Sequence, residues 1–136
     1  MQKITVETTV AAPIEKVWKA WTTPEDITQW NAASDDWHTT AATVDLREGG
    51  AFSSRMEAKD GSMGFDFAGT YTKVVPNERI EAEFGDRTMQ VEFIPENGKT
   101  TVRETFDAED THPIEVQRGG WQAILDRFAK HVEAGH

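Results

Sequence analysis

The chain has 136 residues, enough for one domain and short for two. Its 14 Lys and Arg stand against 24 Asp and Glu, a net charge of −10; that sign argues against nucleic acid and anionic membranes, whose binding depends on cationic side chains neutralising phosphates. The lack of Cys excludes disulfides, thiolate metal sites and a Cys nucleophile, and no apolar run approaches the ~20 residues of a membrane span, so a cytoplasmic globule without membrane insertion is expected.

Ile4, Val6, Thr8 and Val10 alternate with Lys3, Thr5, Glu7 and Thr9, the period of a half-buried strand. Pro13 then suits the first position of a helix, and Ile14, Val17, Trp18 and Trp21 form its apolar face. Thr23-Pro24-Glu25-Asp26 predicts a second, short helix with Thr23 as cap, delivering Ile27 and Trp30 to one side. Residues 31–40 are polar around Trp37 and His38 and predict a loop. The two-residue period then returns. Val44 and Leu46 alternate up to a turn at Glu48-Gly49-Gly50, and Phe52, Ser54 and Met56 share the next strand's face up to Lys59-Asp60-Gly61. Phe65, Phe67, Gly69 and Tyr71 mark a longer strand ended by Pro76-Asn77. Ile80, Ala82 and Phe84 follow, then Gly85-Asp86; Met89, Val91 and Phe93, then a turn over Pro95 to Gly98; and last Val102, Glu104 and Phe106. Pro113 precedes a long helix striped by Trp121, Ile124, Leu125, Phe128 and Val132.

Short turns make successive strands antiparallel, because a parallel crossover needs a dozen or more residues. The expected fold is α+β, one domain over residues 1–136. A curved antiparallel sheet of about six to seven strands carries two short helices after its first strand and a long C-terminal helix over a cavity.

Ala11-Ala12-Pro13-Ile14-Glu15-Lys16-Val17-Trp18, Thr23-Pro24-Glu25 and Trp30 resemble the opening of the SRPBCC (START-like, Bet v 1-like) superfamily, and more narrowly its activator of heat-shock protein 90 ATPase branch. Asp45-Leu46-Arg47-Glu48-Gly49-Gly50, Phe67-Ala68-Gly69-Thr70-Tyr71 with Val75-Pro76, and Gly120-Trp121 with Leu125 continue the match in order over essentially the whole chain. The resemblance implies a helix-grip fold with a deep cavity between sheet and helix. It implies no single activity, since members include lipid and polyketide binders, aromatase/cyclases and co-chaperone domains.

Several residues could carry chemistry. The four His (His38, His112, His131 and His136) form no metal-ligand pair, and no phosphate loop or nucleophile elbow is present, so no metal, cofactor or catalytic residue is assigned. Asp35-Asp36-Trp37-His38 reads either as a loop gating a pocket with a titratable His38 or as a Trp packed under a solvated loop. Glu104 shares strand parity with Val102 and Phe106, which puts a carboxyl on the core side. It is then a polar anchor or acid/base group in an apolar pocket, or a group satisfied by a β-bulge or by Arg55, Arg87 or Arg103; without an Arg its pKa should exceed the ~4.3 of a free Glu. Trp30, Phe52, Met56, Phe65, Phe67, Tyr71, Met89 and Trp121 are ordinary core or pocket wall, with Gln117 and Gly120 favouring the pocket. Glu57, Glu81, Glu83, Glu92 and Glu96 suggest a solvated acidic sheet face or a docking surface for a basic partner.

The leading expectation is a binding module for a small, largely apolar, aromatic or lipid-like ligand. Trp30, Trp37, Met56, Phe65, Phe67, Tyr71, Met89 and Trp121 would contact it, and His38, Glu104 and Gln117 would orient it. The alternatives are a co-chaperone-like partner of the heat-shock protein 90 ATPase, and a cyclase or hydrolase using Glu104 or His38 as acid/base.

Overall fold

In the computed structural model, which describes residues 2–135, the opening alternation becomes β1 (Lys3–Val10), with Ile4, Val6 and Val10 buried. Helix α1 (Ile14–Thr22) turns Val17 and Ala20 inward, and α2 (Pro24–Trp30) turns Ile27 and Trp30 inward. Thr23 precedes α2, but its side chain makes no capping bond. Its backbone N–H already closes α1 on Lys19, and the carboxylate of Asp26 instead meets His131 Nε2 at 2.9 Å.

The remaining strands are β2 (Trp37–Val44), β3 (Ala51–Ala58), β4 (Gly64–Val75), β5 (Arg79–Phe84), β6 (Arg87–Glu96) and β7 (Lys99–Asp107), followed by α3 (Ile114–Glu133). They form one antiparallel seven-stranded sheet in the order β1-β7-β6-β5-β4-β3-β2. The loop expected over residues 31–40 is shorter than the sequence suggests, because β2 begins at Trp37, opposite Ala58. An edge strand has one unpaired side, and this one is bulged between Thr39 and Ala41, so its apolar alternation is broken where the strand begins. Leu46 lies beyond the end of β2, in a segment where Gly49 (φ +85°) donates its N–H to the Tyr71 carbonyl at 2.8 Å. The β6–β7 turn is also tighter than expected: Pro95 pairs within the ladder with Thr100, and only Asn97 and Gly98, at φ +52° and +81°, reverse the chain.

Helix α3 crosses the concave face. At its C-terminal half Leu125, Phe128 and Val132 are fully buried, as are Val10, Val17 and Val102. Trp21 and Trp30 stand edge-on to Phe128 at 5.0 and 4.9 Å between ring centroids. No helix among the described residues is long and apolar enough to cross a membrane. The convex face is less acidic than its glutamates suggest. Arg103 pairs with Glu7 at 2.9 Å, Arg79 lies between Glu81 and Glu92, and Arg55 lies between Glu57 and Asp66. Residues two apart on one strand, and residues directly opposite on neighbouring strands, share a face, which brings each of these arginines to a carboxylate. Glu83 and Glu96 remain exposed.

Candidate functional site

The site begins with strand parity. Along β7, Thr100, Val102, Glu104 and Phe106 all face the concave side and are buried. The ladders on either side run unbroken, with Val6 and Val91 opposite Glu104, so no bulge turns the carboxyl outward. Glu104 is 4% exposed, and no hydrogen bond or ion pair reaches it from the described residues. The arginines that could have answered it lie elsewhere. Arg55 and Arg103 bond carboxylates on the convex face, and the Arg87 guanidinium rests 4.4 Å above the Phe84 ring centroid. Burial alone pushes the Glu104 carboxyl up to about 8, because the charged form loses its water and gains nothing in exchange.

The carboxyl is not sealed in, since no buried side-chain polar atom among the described residues lacks a partner. Glu104 instead borders a recess of about 550 Å³ between the sheet and the N-terminal half of α3. Trp121 reaches down from α3 and stacks on Phe106, with centroids 3.7 Å apart and planes 11° from parallel. Phe67 stands between Phe84 and Trp121 at 5.3 and 6.0 Å, and Phe52 packs on Tyr71 at 5.0 Å. Burial, aided by the nearby Asp45 charge, raises the Tyr71 phenol to about 12. At the rim Phe65 packs near Trp37, 6.0 Å between centroids, and Phe65 and Val116 are 48% and 58% exposed.

Of the residues singled out in the sequence, Trp30, Trp37, Met56, Phe65, Phe67, Tyr71, Met89, Glu104, Gln117 and Trp121 all border this recess. His38 does not. On β2 it follows Trp37 and so points to the opposite side, exposed and across from Glu57, with no path to the recess for an acid/base role. Its neighbours Asp35 and Asp36 are also engaged elsewhere: Asp35 accepts from Arg127 of α3 at 2.7 Å, and Asp36 accepts from Ser34. Gln117 borders the recess as a clamp. Its Nε2 donates to the carbonyls of Glu109 and His112, at 3.1 and 2.8 Å, and its Oε1 accepts from the Glu109 N–H at 2.9 Å. Trp30 donates its indole N–H to the Ala20 carbonyl at 3.0 Å. His136 lies outside the described residues.

Two features matter that the sequence reading passed over or left open. Arg87, named from the sequence as one of three candidate partners for Glu104, has the parity of Met89 and Val91 and borders the recess, yet it rests on Phe84 without pairing with that carboxyl. Gly120 lies in the unbroken helix α3 rather than at a bend, and a Cβ built there meets nothing within 4 Å. Helix packing does not require that glycine; its missing side chain leaves room in the recess it borders.

Chemically, the arrangement offers an apolar enclosure with one neutral-leaning carboxyl on its floor. Among the described residues no group of His, Asp and Glu is arranged to hold a metal ion.

This architecture and sequence have known counterparts. Residues 11–133 match the family described as activator of Hsp90 ATPase homolog 1-like protein. The solution structure of the AHSA1-like protein from Aeromonas hydrophila is 51% identical, with 98% of this chain and 93% of that one covered and a TM-score of 0.91. Chr148 from Cytophaga hutchinsonii is 50% identical over 97% of this chain and 92% of its own, with a TM-score of 0.84. The crystal structure of CV1439 from Chromobacterium violaceum, 26% identical over 98% and 99%, superposes with a TM-score of 0.88. No curated protein matches the sequence.

Proposed function

The chain belongs to the activator of Hsp90 ATPase homolog 1-like family, within the SRPBCC superfamily, and from that membership and the geometry of the recess we propose that it is a binding protein for a small, largely apolar molecule. The observation that carries this reading is the contrast inside one sheet face: an aromatic-walled space of about 550 Å³ with a buried, partnerless carboxyl on its floor. A core built only for stability fills such a space and pairs such a group. Trp121, Phe67 and Tyr71 supply contact area, and Glu104 supplies orientation. Amide shifts recorded while flat aromatic and fatty-acid probes are titrated in provide the test. Shifts gathering at Phe67, Tyr71, Met89, Glu104 and Trp121 at micromolar to submillimolar probe support binding; no perturbation below millimolar removes it.

The family's description motivates a second reading, stimulation of the Hsp90 ATPase. Docking on this reading would use the recess rim, where Phe65 and Val116 are exposed. Purified Hsp90 mixed with this protein should show a changed ATPase rate; an unchanged rate with no binding dismisses it.

A further inference from the structure

We infer that the recess selects molecules presenting a neutral carbonyl at its floor, and that the Glu104 side chain is the donor that recognises it; the inference rests on the binding function proposed above.

The floor around Glu104 is apolar on every side the fold supplies. Val6 and Val91 are its cross-strand neighbours, Val102 and Phe106 flank it along β7, and Trp121 lies over Phe106. A carboxylate held there without a cation would cost far more than a carboxylic acid, so the group keeps its proton, in line with the rise to about 8 caused by burial. A protonated carboxyl has one O–H to give, and a ketone or amide oxygen is a single acceptor that matches it. An ammonium fits poorly: it brings three donors to a floor with one carboxyl, and the others would be buried unsatisfied. A carboxylate on the ligand beside Glu104 would meet the same low dielectric, because Arg87, a cation bordering the recess, is held over the Phe84 ring and does not offset the burial of Glu104.

The other titratable groups bordering the space are Tyr71 from β4, Arg87 from β6, and Glu109 and His112 from the segment before α3. Glu109 and His112 are hydrogen-bonded to each other, and burial keeps the Tyr71 phenol neutral to about pH 12. From α3 Gln117 borders the space with its amide bonded to backbone, and β1 faces the sheet interior with Ile4 and Val6.

The test uses three probes of closely similar shape: 2-acetylnaphthalene, its hydrocarbon counterpart 2-isopropenylnaphthalene, and the amine 1-(2-naphthyl)ethylamine, each titrated by amide shifts. At pH 6.5 the ketone should bind the wild type about threefold to tenfold more tightly than the hydrocarbon, the span of one neutral hydrogen bond. That preference should shrink by pH 9.5, where the carboxyl has lost its proton. Glu104→Gln keeps an N–H donor and should hold the preference at both pH values, whereas Glu104→Leu should lose it while still binding the hydrocarbon. If Glu104→Leu does not fold, the wild-type pH series and Glu104→Gln decide the matter alone. Equal binding of ketone and hydrocarbon by the wild type overturns the inference and leaves the binding function standing. Tightest binding by the amine, lost in Glu104→Gln, overturns it in favour of a cationic ligand. No shift from any probe overturns both.

Discussion

Thr100 and Glu104 lie on the same face of the same strand, four residues or about 13 Å apart, and they have opposite fates. Thr100 is fully buried and donates its hydroxyl to the Ala12 carbonyl at 3.0 Å; Glu104 is nearly as buried and bonds nothing. Val10, opposite Thr100 in the ladder, is fully buried, as are Val17 and Phe128 of the same core, with Trp21 and Trp30 edge-on to Phe128. Around Glu104 the larger side chains stand back from one another and leave a recess. The difference teaches that aromatic content does not separate core from site in this fold, since both ends are rich in rings. The state of the polar group between the rings does.

The hardest blow to that contrast comes from truncating one ring at each end. Phe128→Ala should cost about 4 kcal/mol in denaturant unfolding, as its closely packed neighbours cannot collapse into the void. Trp121→Ala, though larger, should cost less, because Trp121 already borders open space. If Trp121→Ala costs as much or more, the two ends are packed alike and the contrast fails.

Next in size is the carboxyl itself. The folded-state pKa of Glu104 lies above its unfolded value, so the folded protein holds the proton more tightly. The stability it contributes is full below pH ~4.5 and is lost as pH rises through about 8. Relative to wild type, Glu104→Gln should therefore be more stable by about 3 kcal/mol at pH 7, with the gap vanishing near pH 4. Unfolding curves of both proteins at several pH values check this; a less stable variant at pH 7 would reveal a partner for the carboxyl.

Asp107, three residues along β7, sharpens the comparison with the reverse sign. Lys3 Nζ at 2.6 Å, with the N–H and hydroxyl of Thr88 at 2.9 Å, holds its carboxyl down to about 2. A lowered folded pKa contributes stability above the unfolded value of ~3.9, lost as pH falls through about 2. Asp107→Asn should cost about 2 kcal/mol at pH 7 and close to nothing at pH 2, measured in the same way. The smallest effect belongs to Gly120→Ala. The added methyl meets nothing, so the variant should gain up to about 1 kcal/mol of helix stability while narrowing the recess and weakening probe binding. A gain in stability with unchanged binding would show that the glycine's empty side faces away from the ligand.

Much of this was legible in the sequence, for reasons that differ by residue. Glu104 could be placed because β7 is central and without bulges, so counting by two stayed in register from Val102 to Phe106. The same count misled at residues 31–40, where an edge strand with a bulge hides its own period. His38 was drawn into the site by that error: as a loop residue it could point anywhere, but as a strand residue after Trp37 it must point away. Gln117 borders the recess, but its backbone bonds were not legible, because nothing local reveals that the segment 109–112 folds back to claim its amide. Arg87 was named as a candidate partner for Glu104, but strand parity alone could not tell whether its guanidinium reaches the carboxyl or rests on Phe84.

The strand order carries a kinetic consequence. Among the described residues β1 is an edge strand paired with β7, so it finds its partner only after nearly every other element of this fold exists. The β5–β6 and β6–β7 hairpins close through two-residue turns and can form locally, whereas β1 must wait across the full loop of chain, whose closure entropy is paid before any β1 contact forms. Substitutions in β1 such as Val6→Ala should therefore speed unfolding and leave the refolding rate nearly untouched, while Val91→Ala in β6 should slow refolding. During synthesis, Ile4 and Val6 spend the longest time without their native cover, and it is there that a nascent chain of this protein would offer its most persistent apolar surface to other chains.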